Sequence, residues 1–365
     1  MRKVVLFVLM FFPWIIFGDA IKVEKILNTK SIKEYNQWVK KYKTDYPLLE
    51  PFLIDIKGLT AFHYNQNGRL VNEESFTTKE GWGMHIHTAP YIGIVVTVEY
   101  DLSQDETSPA LYTIFQNGKQ LFSFSWSFDY QTHAGVRFLP MSLGIFRSKP
   151  YNQDPNNCFA ELIAWDGIYI GRIDSLCTIN TGSRATADGK YLILNSDYIA
   201  CLVKDGIELW RKNFNSAIET SISCDGQYVC IGDSGAVYVY NQQGSELYSY
   251  VFSPQGRENP YSSFSANNQY LAVATSFDLV LIDNVTGNVV WKKSVEGDNF
   301  KRHLYFVNDY IILTHTSSAK IYVYDVQGDL QTTINEPSLY CNVINDLIVI
   351  NPQKNKFHKL IYRIK

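Results

Sequence analysis

Ala266-Asn-Asn-Gln-Tyr-Leu271, Leu279-Val-Leu-Ile282 and Asp283-Asn-Val-Thr-Gly287-Asn-Val-Val-Trp291 follow one another in a single short stretch, and together they decide how the chain folds. Asn-Asn tolerates positive φ and closes a tight turn between strands. The apolar tetrapeptide is a buried strand. The glycine turn then leads into an outgoing strand, with an aliphatic residue at the third place after glycine and an aromatic at the fourth. Each of the three parts recurs. The turn returns as Ala187-Asp-Gly-Lys-Tyr-Leu192 and Cys224-Asp-Gly-Gln-Tyr-Val229, and the strand as Val237-Tyr-Val-Tyr240 and Ile321-Tyr-Val-Tyr324. The outgoing hairpin returns as Gly118-Lys-Gln-Leu-Phe122, Gly206-Ile-Glu-Leu-Trp210 and Gly244-Ser-Glu-Leu-Tyr248.

Seven glycine turns of this kind, at Gly68, Gly118, Gly167, Gly206, Gly244, Gly287 and Gly328, are spaced by 50, 49, 39, 38, 43 and 41 residues. An all-strand repeat of about 40–50 residues predicts an all-β fold, a single β-propeller. The C-terminal run Leu304-Tyr-Phe-Val-Asn-Asp309 with Ile311-Ile-Leu313 is echoed by Asn342-Val-Ile-Asn-Asp346 with Leu347-Ile-Val-Ile350, and one more strand, Phe357 to Ile364, ends the chain. The last unit therefore offers three strands, and a strand from the N-terminal region, taken here as Leu70 to Phe76, is expected to complete it and close the ring. Seven blades are expected, or eight if the Gly68 hairpin forms a blade of its own. Ser31-Ile-Lys-Glu34 has the form of a capping box, and Ile32, Tyr35, Trp38, Val39 and Tyr42 fall on one face of a helix over 31–43, expected to pack on the outside or one end of the ring.

The first residues have the layout of a cleavable signal peptide. Arg2 and Lys3 precede the apolar stretch Val4 to Phe17, and Gly18-Asp19-Ala20 puts small residues at −3 and −1 of a cleavage site after Ala20. The apolar run contains Pro13 and is shorter than the ~20 residues a membrane helix needs. The expected organisation is a signal peptide at 1–20, an N-terminal helical segment at 21–51 and the propeller at 52–365, in an exported protein, secreted or periplasmic, with no membrane insertion after cleavage. With 33 basic and 36 acidic side chains the charge is mildly negative, which argues against a nucleic-acid partner. Six cysteines in an exported chain permit disulfides, but several sit among apolar strand residues, as in Tyr228-Val-Cys230-Ile231, and read as small buried side chains. Cys224 and Cys230 flank one turn and are the pair to consider if a bridge forms.

The hairpin resembles the quinoprotein (pyrroloquinoline-quinone-like) repeat: an apolar strand, Asp, two residues, Thr-Gly, then aliphatic and Trp. Asp283-Asn-Val-Thr-Gly287-Asn-Val-Val-Trp291 fits it throughout and Asp205-Gly206-Ile-Glu-Leu-Trp210 in part. The resemblance covers most of residues 160–330 and overlaps the WD-repeat pattern, with Trp165-Asp166-Gly167 where a WD dipeptide would stand. It implies the propeller fold. The calcium-ligating carboxylates and catalytic aspartate of the family's enzymes have no counterpart matched here, so no functional residue is carried over and no cofactor is expected.

His85-Ile86-His87 is the most suggestive local constellation. Residues two apart on a strand point the same way, and with His133, which begins the corresponding region of the next unit, the two imidazoles are candidate metal ligands. Against this stands the ordinary reading of polar residues on a half-exposed strand. Asp101, Asp105 and Glu106 read as a solvated acidic loop without calcium-site spacing. Ser123-Phe-Ser-Trp-Ser-Phe-Asp129-Tyr130 alternates aromatic and hydroxyl side chains, a stacking face for a sugar or peptide or an ordinary strand with one buried side. Asn284-Val-Thr286 is a formal glycosylation acceptor. No Gly-x-Ser-x-Gly elbow, phosphate-binding glycine loop or His-Glu-x-x-His helix is present. The expected function is a non-catalytic propeller, a monomer, that binds a protein or glycan through loops at one end of the ring. The alternative is a propeller enzyme, a quinone-dependent oxidoreductase or a metal-assisted hydrolase or lyase, working at the channel mouth.

Overall fold

The computed structural model describes residues 23–364 except 30, 46–50, 90–92, 104–108, 128–135, 139–144, 149–158, 177–183, 187, 197, 253–258, 296–301, 316–319, 336–337, 345–346 and 353–358. Among the described residues, strands form eight antiparallel sheets, seven of four strands and one of three. In chain order the blades are residues 54–75, 82–127, 136–174, 184–213, 218–251, 261–294 and 302–335, numbered 1 to 7 below, and the closing blade over 338–364. The Gly68 hairpin lies between the last two strands of the three-stranded blade 1, so it stands as a blade of its own beside the seven four-stranded ones.

The closing strand is Val23–Thr29, which pairs with Lys359–Ile364, Val23 opposite Ile364 and Thr29 opposite Lys359. Leu70–Ser75, expected in that place, instead pairs with Thr60–Tyr64. The reason is local: the tight turn at Gly68 joins Leu70–Ser75 directly to Thr60–Tyr64, which leaves the edge at Lys359–Ile364 to the chain's first strand.

The helix, Ile32–Tyr42, begins as the capping box predicts, with Glu34 N–H donating to Ser31 Oγ at 3.2 Å. Tyr35 and Val39 pack on Leu347, Val349 and Ile361 of the closing blade, with Trp38, Tyr42 and Phe52 around them. The helix thus fills the junction between the closing blade and blade 1. Asn36, which the apolar pattern passes over, is fully buried there. Its Oδ1 accepts from Phe52 N–H at 2.7 Å and its Nδ2 donates to the carbonyls of Phe52 and Asn65 at 2.8 and 3.3 Å.

The repeated hairpin explains itself in the register. In all seven glycine hairpins the residue at the third place after glycine is skipped in the pairing: Leu202 opposes Trp210 and Val203 opposes Glu208, passing over Leu209. Leu247, Val290 and the other residues at this place are bulged likewise. The bulge re-aims the fourth residue toward the following blade. A methyl group on Gly244 would lie 2.9 Å from Trp210, one on Gly287 2.8 Å from Tyr248, one on Gly328 3.0 Å from Trp291, and one on Gly167 3.1 Å from Phe122. Each glycine therefore serves as the seat for the aromatic residue of the blade before it. Blade 3 has Gly171 in the aromatic's place, and there the backbone of Gly206 closes directly on it. At Gly68, where the preceding blade has no such hairpin, the seat is taken by Lys33 of the helix.

Candidate functional site

The first strands of successive blades lie innermost and line the channel. Among the described residues, Arg184–Ala185, Ile218–Ile222, Tyr261–Phe264 and Arg302–Val307 bound a cavity of about 550 Å³. Their alignment is set by a turn just beyond. Thr186, Ser223 and Ser265 each accept the backbone N–H of the tyrosine five residues on, at 3.1, 3.0 and 2.9 Å, and donate to Asp188, Asp225 and Asn267 at 2.7, 2.8 and 2.8 Å. This hydroxyl turn fixes where each inner strand ends. Arg184, Ser221 and Ser263, two residues earlier in each unit, therefore occupy one level of the wall, and Glu219 and Tyr261 the next.

Between blades the small side chains meet. Ser221 and Ser262 share a hydrogen bond of 2.6 Å, and Ser263 Oγ accepts from Phe306 N–H at 3.2 Å. On the far side Tyr261, His303 and Tyr305 form a continuous aromatic face, with ring centroids 6.3 and 6.5 Å apart. Beneath the serine pair lies Cys230, fully buried among Val237, Val239 and Val280. Burial pushes its thiol up to about 12, against the smaller opposing effect of hydrogen bonds with Ser262 and Ser221. A thiol so protonated at neutral pH is a packing residue, not a nucleophile.

Cys224 and Cys230 are both free thiols: Cys230 points into the core, while Cys224 is exposed with its Sγ 3.3 Å from Ala266 O. His85 and His87 lie on Trp82–Ala89, the innermost strand of blade 2, with ring centroids 6.5 Å apart. His85 stacks on Tyr100 at 5.2 Å, and its Nε2 is 3.2 Å from the Tyr100 hydroxyl. His133 lies outside the described residues, among which no three His, Cys, Asp or Glu side chains converge as metal ligands.

Three local expectations resolve as structure. Asp101 accepts from the backbone and hydroxyl of Ser103 at 2.9 and 2.7 Å in a local turn, while Asp105 and Glu106 fall outside the described residues. Of the aromatic–hydroxyl stretch, Phe124 stacks on Tyr112 of its own blade at 5.1 Å, and Trp126 meets Phe159 of the next blade edge-on at 5.7 Å, so these rings are engaged in packing. Asn284 is 1% exposed, accepts from Tyr248 OH and donates to Asn268 O, which leaves its amide no room for a glycan.

The wall residues Arg184, Glu219, Tyr261, Ser262, Ser263, His303 and Tyr305 carry no motif in the sequence. For Arg184, Glu219, Tyr261, Ser262 and Ser263 the signal is positional: they stand two to four residues before the hydroxyl that opens each turn.

No protein-family model matches the chain, and no curated protein matches it. Solved structures do. BamB from Moraxella catarrhalis is 9% identical, with a TM-score of 0.56 over 94% of this chain and 98% of that one. Sqt1 from Saccharomyces cerevisiae is 13% identical, with a TM-score of 0.52 over 84% and 90%. This chain is a β-propeller. At such identity the likeness speaks for the fold alone, and the alignment with BamB runs nearly end to end on both chains. Among the described residues no helix is long and apolar enough to cross a membrane.

Proposed function

We propose that the protein is an exported, non-catalytic β-propeller that acts as a monomer and holds a partner, a protein or a glycan, at the mouth of its channel. The observation that carries this reading is the cavity shared by the inner strands of blades 4 to 7. Ser221 and Ser262 bond to each other, Ser263 accepts from backbone and Ser223 donates to Asp225 within its turn, an arrangement suited to holding a ligand. Blades keyed together by glycine and aromatic give that cavity a rigid frame, as a binding site built on a scaffold requires. Export rests on the charged head, apolar run and small-residue cleavage site of the first twenty residues.

Site-specific photo-crosslinking tests the reading. A photoreactive amino acid at Ser263 or Tyr305 should give a discrete adduct in the exported fraction, and one at Val251 on the outer rim should not. Adducts from the rim with none from the wall would place the partner elsewhere and end this reading.

A further inference from the structure

We propose that the channel cavity is a carbohydrate site, built to take an uncharged sugar ring, so that the partner held at the mouth is a glycan. This deepens the binding reading above and rests on it.

The wall decides the ligand class by its chemistry. Eight of the sixteen lining residues bear hydroxyls, two of which, Thr186 and Ser223, are engaged in their own turns, while Arg184 and Glu219 are the only Arg, Lys, Asp or Glu among them and cancel in charge. An anionic ligand such as a nucleotide or a quinone tricarboxylate is held by several cations converging on it, and one arginine beside a glutamate does not supply that field. A basic peptide would need several carboxylates, and the wall has one. A fatty chain would need an apolar tube, and the aliphatic residues of this wall are only Ala185, Ile222 and Leu304.

A sugar matches on both counts. Each serine or threonine hydroxyl is at once a donor and a double acceptor, and so is each sugar hydroxyl, so the two can pair in either sense by rotating a single bond. The Ser221–Ser262 pair, at 2.6 Å, already shows two wall hydroxyls trading one such bond. The C–H face of a pyranose needs one flat aromatic ring to rest on, and Tyr261, His303 and Tyr305 offer rings along one side of the same cavity, tilted to one another by 60° and 35°. The volume of about 550 Å³ lies within the ~300–1,000 Å³ typical of small-ligand sites.

Binding is tested by saturation-transfer NMR on the purified mature protein, with neutral trisaccharides of glucose, N-acetylglucosamine, mannose and galactose as probes. At least one should receive saturation. Tyr261→Ala should weaken that binding about tenfold, Tyr261→Phe should retain most of it, and Val251→Ala on the rim should leave it unchanged. Circular dichroism establishes that each variant is folded, and His303→Ala serves as the second wall variant should Tyr261→Ala not fold. The proposal is overturned if none of the four sugars receives saturation, or if the signal survives loss of the aromatic face. Wall crosslinks to a polypeptide in that case would leave the binding reading standing with a protein as partner. Failure of both experiments would remove the binding reading as well.

Discussion

Gly328 and Trp291 offer the sharpest test of how the ring is held together. Gly328 has φ +89 and sits on the ring of Trp291 from the blade before, where an added methyl would lie 3.0 Å from two ring atoms and 3.0 Å from Lys293 Cε. Alanine at that position adds two separable costs. The left-handed backbone costs about 1–2 kcal/mol for any residue with a Cβ, and crowding the indole costs about 1–3 kcal/mol. Gly328→Ala should therefore lose about 2–5 kcal/mol. Trp291→Ala loses the packed ring and its Nε1 bond to Val326 O, 2.8 Å long, for about 3–5 kcal/mol. In the double variant the crowding has nothing to act on and only the backbone cost of Gly328→Ala is added. The two changes should fall short of additivity by about 1–3 kcal/mol, read from urea midpoints followed by circular dichroism. Additivity within about 0.5 kcal/mol would mean that glycine and indole do not touch, and that the glycine serves its turn alone.

Four further outcomes follow. Ser265→Ala leaves the Tyr270 N–H without its 2.9 Å acceptor and should cost about 1–3 kcal/mol in the same urea assay, with Ser223→Ala matching it. Asn36→Leu strips Phe52 N–H and two carbonyls of their partner at the ring closure, so hydrogen exchange over 31–45 should rise well before the remaining blades open. Burial raises Cys230 from 9.0 and Tyr240 from 10.0 to about 12 each, and raises Tyr112 and Tyr248 also. The folded state thus holds these protons more tightly than the unfolded one. The stability they contribute is fully present below pH about 9 and is lost as pH climbs toward about 12, so the urea midpoint should be flat between neutrality and the lower limit and then fall. Protein purified without chelators should carry no stoichiometric metal by elemental analysis. A metal removed by His85→Ala or His87→Ala would instead place a site at the candidates His85, His87 and His133, with the enzyme reading attached to it.

Much of the fold was legible because it is a repeat. Glycine turns, strand alternation and the aromatic at the fourth place each recur, and repetition separates a pattern from chance. What the aromatic is for was not legible, since its seat lies one blade away, about forty residues on, and needs the bulge to aim it. The closing strand was misplaced for a related reason. Val23–Thr29 has only moderate apolar content, and its pairing with Lys359–Ile364 spans almost the whole chain, beyond the reach of local pattern. The site was hidden more completely. Serines, tyrosines and one arginine on short inner strands look like ordinary half-exposed strand residues. They become a site only when four blades bring them round one axis. His85 and His87 drew notice by spacing, yet His85 finds its partner in Tyr100 of its own blade.

Hydrogen–deuterium exchange on the purified protein, alone and with the species crosslinked from its wall, tests the central claim most directly. If the partner sits in the channel, protection should concentrate in residues 184–186, 219–224, 261–264 and 303–305, with the outer strands unchanged. Protection confined to the outer strands, with those four inner segments unaltered, would contradict the account.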